Sequence, residues 1–446
     1  MPVTIESQAE PREPSSPPPP MPVYRRAHPL HRLFGSLMPE SVWHNWCWDA
    51  LAGMCAGIYQ GCIWTFALQL ARGKMRATGF EMGLASAAPA VGYLFAILWA
   101  RQMEGRSKLP FVTVTWVLSR GLFLLTPLLV PSTAHTAAYV ALICLTPVLF
   151  SVSTPAYTAI MKDIYPDHLR GRLMSYVRVG MATSMLLAAR TMGVLQEHRG
   201  LDFRWMFVIG GVFGIGTAAA FSRLKLPPVL HAELPAFRHF LRDTFSILGS
   251  NVGYRWFCVS VFVAGFGNLL QTPAQYTVQV DRFHITPTQI ATMQNLAGLL
   301  SLASLFFWGW YMDRFGSLPT VLAAVSVNCV APLVYAFAPN LFWLYLAAAC
   351  MGVSASGIDL GYLNTTLMFA EPGRAAQYQA VHSTLFGLRG TIAPLLTFAI
   401  AGMLHRNWPL FFLICLAVMI VGTLFQFFSM RTYRAERAAV LAESRA

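Results

Sequence analysis

The chain has 446 residues, 56% hydrophobic and only 11% charged, with a mean hydropathy of +0.52 and a formal net charge of +13. A water-soluble domain carries roughly 25% charged residues, so most of this chain faces something other than water. No folded soluble segment is present to carry the positive charge as a nucleic-acid patch, which excludes that class of partner.

The first segment, residues 1–40, is polar and Pro-rich ("EPSSPPPPMP"). It has no apolar core of a cleavable signal and reads as a disordered cytoplasmic tail. Twelve apolar runs follow, at roughly 46–70, 80–100, 109–130, 136–160, 172–195, 203–222, 252–276, 289–311, 318–338, 341–367, 378–403 and 408–430. Each is near the ~20 residues needed to cross a bilayer. Backbone groups in hydrocarbon must be satisfied within their own segment, so the runs are expected to be helices. The short alternating strands of a barrel are not visible. The expected fold is therefore an all-α membrane protein with twelve transmembrane helices in two pseudo-symmetric six-helix bundles, 41–222 and 251–430. Residues 223–250 form a cytoplasmic linker and 431–446 a cytoplasmic tail. The end of the linker, "FRHFLRDTFSIL", alternates basic and apolar positions. It fits either an amphipathic helix on the membrane surface or a linker helix packed on the bundle.

Charge sets the orientation. Placing the N-terminus inside leaves 21 Lys and Arg cytoplasmic and 7 outside, in keeping with the positive-inside rule. Both termini are then cytoplasmic, in a multi-pass protein of a bacterial inner (plasma) membrane. One outer loop dissents, "ARGKMRATG", with Arg72, Lys74 and Arg76. The eight cysteines all fall in spans and form no CxxC pair, so they read as small apolar side chains rather than disulfides or metal ligands.

The two halves echo each other. "WARQMEGRSKLPFV" (99–112) and "WGWYMDRFGSLPTV" (308–321) share Trp, Met, Leu, Pro and Val at equal offsets, with Glu104 opposite Asp313. Both lie between the second and third spans of their half. "YPDHLRGRL" and "AEPGRAAQY" repeat a Pro and an Arg (Arg170, Arg374) after the fourth span. Such duplication is expected of transporter folds.

These features resemble the major facilitator superfamily of secondary transporters, over about residues 41–430. That family carries Gly-x-x-x-Asp-Arg-x-Gly and a basic tail between helices two and three. Gly309, Asp313, Arg314 and Gly316 match it, while Ser317 and Leu318 replace the basic tail. In the first copy Ala100 replaces Gly, Glu104 replaces Asp, and Gly105-Arg106 is shifted. Pro166–Gly171 resembles the family's loop before helix five. The resemblance implies that Asp313 and Glu104 act as conformational latches, with Arg106, Arg170 and Arg374 in the same loops; a tight turn and topology signal is the alternative. It also implies that helices one, four, seven and ten line the solute path. Tyr59, Gln60 and Trp64, and Asn268, Gln271 and Tyr276, are then lining candidates, with Pro273 freeing a carbonyl nearby. Ordinary interhelical hydrogen bonding is their other reading.

Ionisable groups inside spans are costly and point to function. Asp359 and Arg389 fall at similar depth on consecutive helices, roughly 15–20 Å from the inner surface, and are expected to pair. Arg120 is a mid-depth cation with no carboxylate at its level, fit for bracing or for solute contact. The cation excess suggests an anionic solute. Asp359, and then His382, are the candidates for coupling to protons. Gly53, Gly57 and Gly61 form a close-packing face in span one. GxxxxGK[ST], HExxH and GxSxG are missing, so neither an ATP-driven pump nor an enzyme is indicated. No cofactor or metal is expected. Arg190 stands where the antiporters of the family carry Pro in helix five, and helix four lacks their central Arg. The sequence thus reads as a monomeric alternating-access transporter of a small solute, an organic anion, with proton coupling an open option. The other reading is a transport-inactive sensor or scaffold on the same fold.

Overall fold

The computed structural model describes residues 40–94, 106–129, 133–226, 246–371 and 374–443. Every regular element among them is helical. The tail 1–39 and most of the linker, 227–245, lie outside the described residues. In the first half come α1 (Glu40–Cys62), α2 (Ala67–Gly73), α3 (Gly79–Leu94), α4 (Lys108–Gly121), α5 (Thr133–Ile164), α6 (Asp167–His198) and α7 (Phe203–Phe221). A 3-10 turn, Leu122–Leu128, extends α4. The second half holds α8 (Val252–Asp281), α9 (Pro287–Phe315), α10 (Ser317–Asn328), α11 (Val330–Phe337), α12 (Leu341–Phe369), α13 (Ala375–Met403) and α14 (Trp408–Glu443).

Among the described residues, 10 helical stretches are long and apolar enough to cross a membrane. The chain is a multi-pass integral membrane protein. Two of the twelve expected spans are not among those 10, each for a physical reason. The described part of the second, α3, is only 16 residues long, and residues 95–105 beyond it are not described. The fifth, α6, is a 32-residue helix, but Arg170, Arg172, Arg178 and Arg190 lower its hydropathy. Two single runs are broken as helices: the first at residues 63–66, between α1 and α2, and the ninth at Cys329, between α10 and α11.

Residues 40–226 pack mainly among themselves, as do 246–443. The helix pairs α3–α13, α6–α9 and α2–α8 carry most of the contact between them. Arg72 of α2 meets Asp281 at the end of α8, and Ser429 of α14 meets Gly253 at its start. The start of α1 and the end of α14 therefore lie at one end of the molecule, the near end; Arg72 and Asp281 mark the far end.

Local chemistry explains several helix limits. Thr286 and Gln289 form a capping box at the start of α9, with Pro287 in the first turn. Gly316 (φ +90°) makes the turn from α9 to α10, a conformation that costs glycine nothing and other residues dearly. The Asp313-Arg314 pair is consequently not on an open loop. It sits in the last turn of α9, as does Gly309 one turn earlier, and the connection is Gly316 alone.

The glycine stripe of α1 has α6 against it. A side chain at Gly57 meets the Met181 carbonyl, one at Gly61 meets that of Met185, and one at Gly53 comes within 2.8 Å of Val177 Cγ1. A core that close tolerates no added volume. Gly57→Leu is expected to lower stability by at least the ~1–3 kcal/mol of ordinary overpacking, read as a lower melting temperature of the purified protein.

Candidate functional site

A cavity of about 440 Å³ is walled by α8, α10, α12, α13 and α14. Its polar side chains include Asn268, Asn328, Asp359, Tyr362, His382 and Arg389; apolar ones such as Leu269, Met351 and Met419 fill the gaps. It runs from mid-depth of α8 toward the near end of α12 and α13.

Arg389 is the buried charge of this wall, 4% exposed. Its side chain crosses α8 at Gly265, where no Cβ blocks it. One guanidinium nitrogen donates to the Val261 carbonyl. The Phe386 ring lies 5.3 Å from the guanidinium carbon, and the Tyr362 hydroxyl stands beside it. Its Nε has no partner. The expected Asp359–Arg389 ion pair does not form. Equal depth on consecutive helices was not enough, because Arg389 turns to α8. Asp359 is exposed to the cavity side of α12 and makes no hydrogen bond or ion pair among the described residues. The cation acting on it is Arg178 of α6, across the two halves.

His382 stacks on Phe257 and meets the Tyr362 ring edge-on at 5.2 Å. His382 Nδ1, Gln379 Oε1 and Ser354 Oγ are buried without partners, like Arg389 Nε, and all four residues line the cavity. An unpaired buried polar atom costs about 1–3 kcal/mol. Several on one wall mark a surface made for a polar occupant.

The lining candidates divide. Asn268 is on the wall, where its carbonyl accepts from Asn328 (2.9 Å) and Gln271 (3.1 Å), and Gln275 donates to Gln271 in turn. Tyr59, Gln60, Trp64 and Tyr276 do not line the cavity. Trp64 donates to the Tyr59 hydroxyl at 3.0 Å in the first-half core, Tyr276 packs on that core, and Gln60 reaches Met181 sulfur at 4.0 Å. Arg120 braces the first half. It is 4% exposed, lies 4.3 Å from the Trp116 ring and 5.1 Å from that of Tyr59, and donates to Gly214 carbonyl at 3.4 Å.

At the near end, Asp313 is exposed and makes no hydrogen bond or ion pair among the described residues; Arg314 lies over Phe315. Glu104 falls outside the described residues, and Arg106 is exposed ahead of α4. Arg170 donates to the Lys162 and Tyr165 carbonyls and so caps α5, whereas Arg374 binds Glu371 and Gln377, each at 2.7 Å. The two sequence-related arginines thus do different work.

The far end holds a clasp that sequence reading missed. Arg72 grips the Asp281 carboxylate through Nε (3.0 Å) and Nη2 (2.5 Å). Gln69 donates to Gln279, which donates to Tyr335. Arg190 donates to Thr292 at 3.2 Å, and the Thr288 N–H donates to Glu197 at 3.0 Å. Hydrogen bonding from Thr286, chiefly, and from Thr288 holds the Glu197 carboxyl below its ordinary range. Its contribution is present at neutral pH and lost as pH falls through that lowered value. The one signal in the sequence was the positive outer loop, whose Arg72 has its partner here.

The sequence model of the Major Facilitator Superfamily matches the chain twice, at residues 50–268 and 257–445. The chain belongs to the major facilitator superfamily. Solved structures of this superfamily fold are similar at low identity. The nucleoside transporter NupG aligns with TM-score 0.62 and 10% identity over 86% of this chain and 98% of its own. A bacterial homologue of the human lysosomal transporter Spinster, inward-facing and unoccupied, gives 0.63 and 13% over 88% and 98%. A D-xylose–proton symporter gives 0.61 and 14% over 86% and 97%. Comparison with curated proteins gives no match.

Two outcomes follow for this superfamily member. Asp359→Asn, at a residue with no hydrogen bond or ion pair among the described residues, is expected to move the unliganded melting temperature by no more than about 2 °C, whereas Gly265→Val expels the Arg389 side chain and lowers it further. At the far end, Arg72→Asp is expected to raise maleimide labelling of cysteines placed near Gln279 in the purified protein, and adding Asp281→Arg to lower it again.

Proposed function

We propose that the protein is a secondary transporter that moves a small organic solute carrying an anionic group, by alternating access between two six-helix halves. The observation that carries this reading is the cavity around Arg389: a buried guanidinium with an unpaired donor, among other unpaired polar atoms, at mid-depth in a fold of this superfamily. The charge bias of the loops supports cytoplasmic termini. In that orientation the clasp of Arg72 and Asp281 closes the outside, and the cavity faces in. The exposed, unpartnered Asp313 fits this state as a released latch, which takes a partner when the near end closes. A proton that travels with the solute binds at Asp359 or His382, the ionisable cavity groups other than Arg389 and Tyr362.

Uptake by the purified protein in proteoliposomes tests this. Organic anions are expected to compete for uptake where their neutral analogues do not, and Arg389→Ala to lower uptake by about tenfold or more, the loss of one charge-assisted hydrogen bond. Competition by neutral analogues alone overturns the anionic reading, and no flux of any solute favours an inactive sensor. If Asp359 carries the proton, Asp359→Asn retains solute exchange but loses accumulation driven by a pH gradient.

A further inference from the structure

We infer that the solute is a zwitterion, whose anionic group binds Arg389 and whose cationic group binds Asp359. The inference rests on the cavity being the solute site.

Arg389 and Asp359 face one cavity, yet form no ion pair with each other. Charges in spans are tolerated when paired. Asp49 shows the ordinary solution in this chain: it is 3% exposed and accepts from the Tyr165 hydroxyl at 2.7 Å. Asp359 has no such donor. Arg178, which acts on it, comes from the opposite half and is not part of the cavity wall. An anion alone satisfies Arg389 and is repelled by Asp359; a cation alone does the reverse. A molecule with both charges satisfies both.

The uncharged groups agree. Among the unpaired buried atoms, Arg389 Nε is a donor that wants an acceptor, whereas Gln379 Oε1 is an acceptor that wants a donor. An ionised carboxylate is acceptor-only and offers no donor to Gln379. The ammonium group of a zwitterion offers N–H donors to both Gln379 and Asp359. The same cavity is lined by the aromatic Tyr362 and Phe386 and by apolar Leu269, Ile358 and Met351, which suit a short carbon skeleton. A volume of about 440 Å³ suits a ligand of amino-acid or dipeptide size.

The test uses matched trios: α-, β- and γ-amino acids, each with its N-acetyl form (anion only) and its methyl ester (cation only). Thermal stabilisation of the detergent-purified full chain gives their apparent affinities. At least one free amino acid is expected to bind, with both modified forms weaker by about tenfold, as for loss of a charge-assisted contact. Asp359→Asn is expected to abolish the discrimination, so that the N-acetyl form binds as well as its parent. Arg389→Gln is expected to do the same for the ester. N-acetyl forms that bind the natural chain as tightly as the parents overturn the zwitterion inference and leave the anionic site standing. An unchanged preference in Asp359→Asn overturns it as well. Binding of none of the three forms overturns the inference and the solute-site reading together.

Discussion

Hydrocarbon offers no hydrogen bonds, and this constraint runs through the whole structure. It makes the described elements helices, because only a helix satisfies its backbone alone. It then sorts the polar side chains. Those with a structural task find partners in the protein: Tyr139 donates to the Ala67 carbonyl, Thr397 to that of Leu270, and Arg120 lies among aromatic rings. Several that line the cavity, Ser354, Gln379, His382 and the Arg389 Nε, are left without partners. Asp49 is held by the Tyr165 hydroxyl, whereas Asp359 on the cavity wall makes no hydrogen bond among the described residues.

The polar groups also set the state of the molecule. The polar contacts that join described residues of the two halves cluster toward the far end, at Arg72, Gln69, Arg190 and Glu197. None is strong alone. The Arg72–Asp281 pair is partly solvated, and such pairs contribute about 1 kcal/mol or less. Weak contacts suit a joint that must break in each transport cycle, since a ligand shifts such an equilibrium only by its differential affinity for the two states. The close packing of α3 on α13, where a side chain at Gly83 comes within 2.7 Å of the Pro394 carbonyl, supplies the apolar remainder.

The two halves are related but not equivalent. The same superfamily model matches each, yet the cavity around Arg389 is walled by the second half, whereas the first packs Tyr59, Phe123 and Phe207 into a core braced by Arg120. Arg170 caps a helix where Arg374 makes an ion pair. The two matches to one superfamily model give a shared scaffold, and the halves diverged into a braced core and a cavity wall.

Much of this was legible in one dimension. Composition alone excluded a soluble fold, the length of the apolar runs located the helices, and glycines at four-residue spacing announced a close-packing face on α1, though not that α6 would pack on it. Arg389, Asp359, His382 and Asn268 stood out because charge and amide groups are rare in spans. Partnership was not legible. Depth along a helix can be counted from sequence, but the direction of a side chain around the axis depends on which neighbour packs where. Arg389 therefore met Gly265 and Val261 instead of Asp359, and Tyr59 and Trp64 turned to a core instead of the cavity. Arg72 and Asp281, some 200 residues apart and each unremarkable alone, became a clasp only when α2 and α8 were set side by side. The sequence by itself determined that this chain spans a membrane as a duplicated helical transporter fold, because hydrophobicity and repetition are local properties. The tertiary structure alone decided which charges stay unpaired, because pairing is a property of distance between helices.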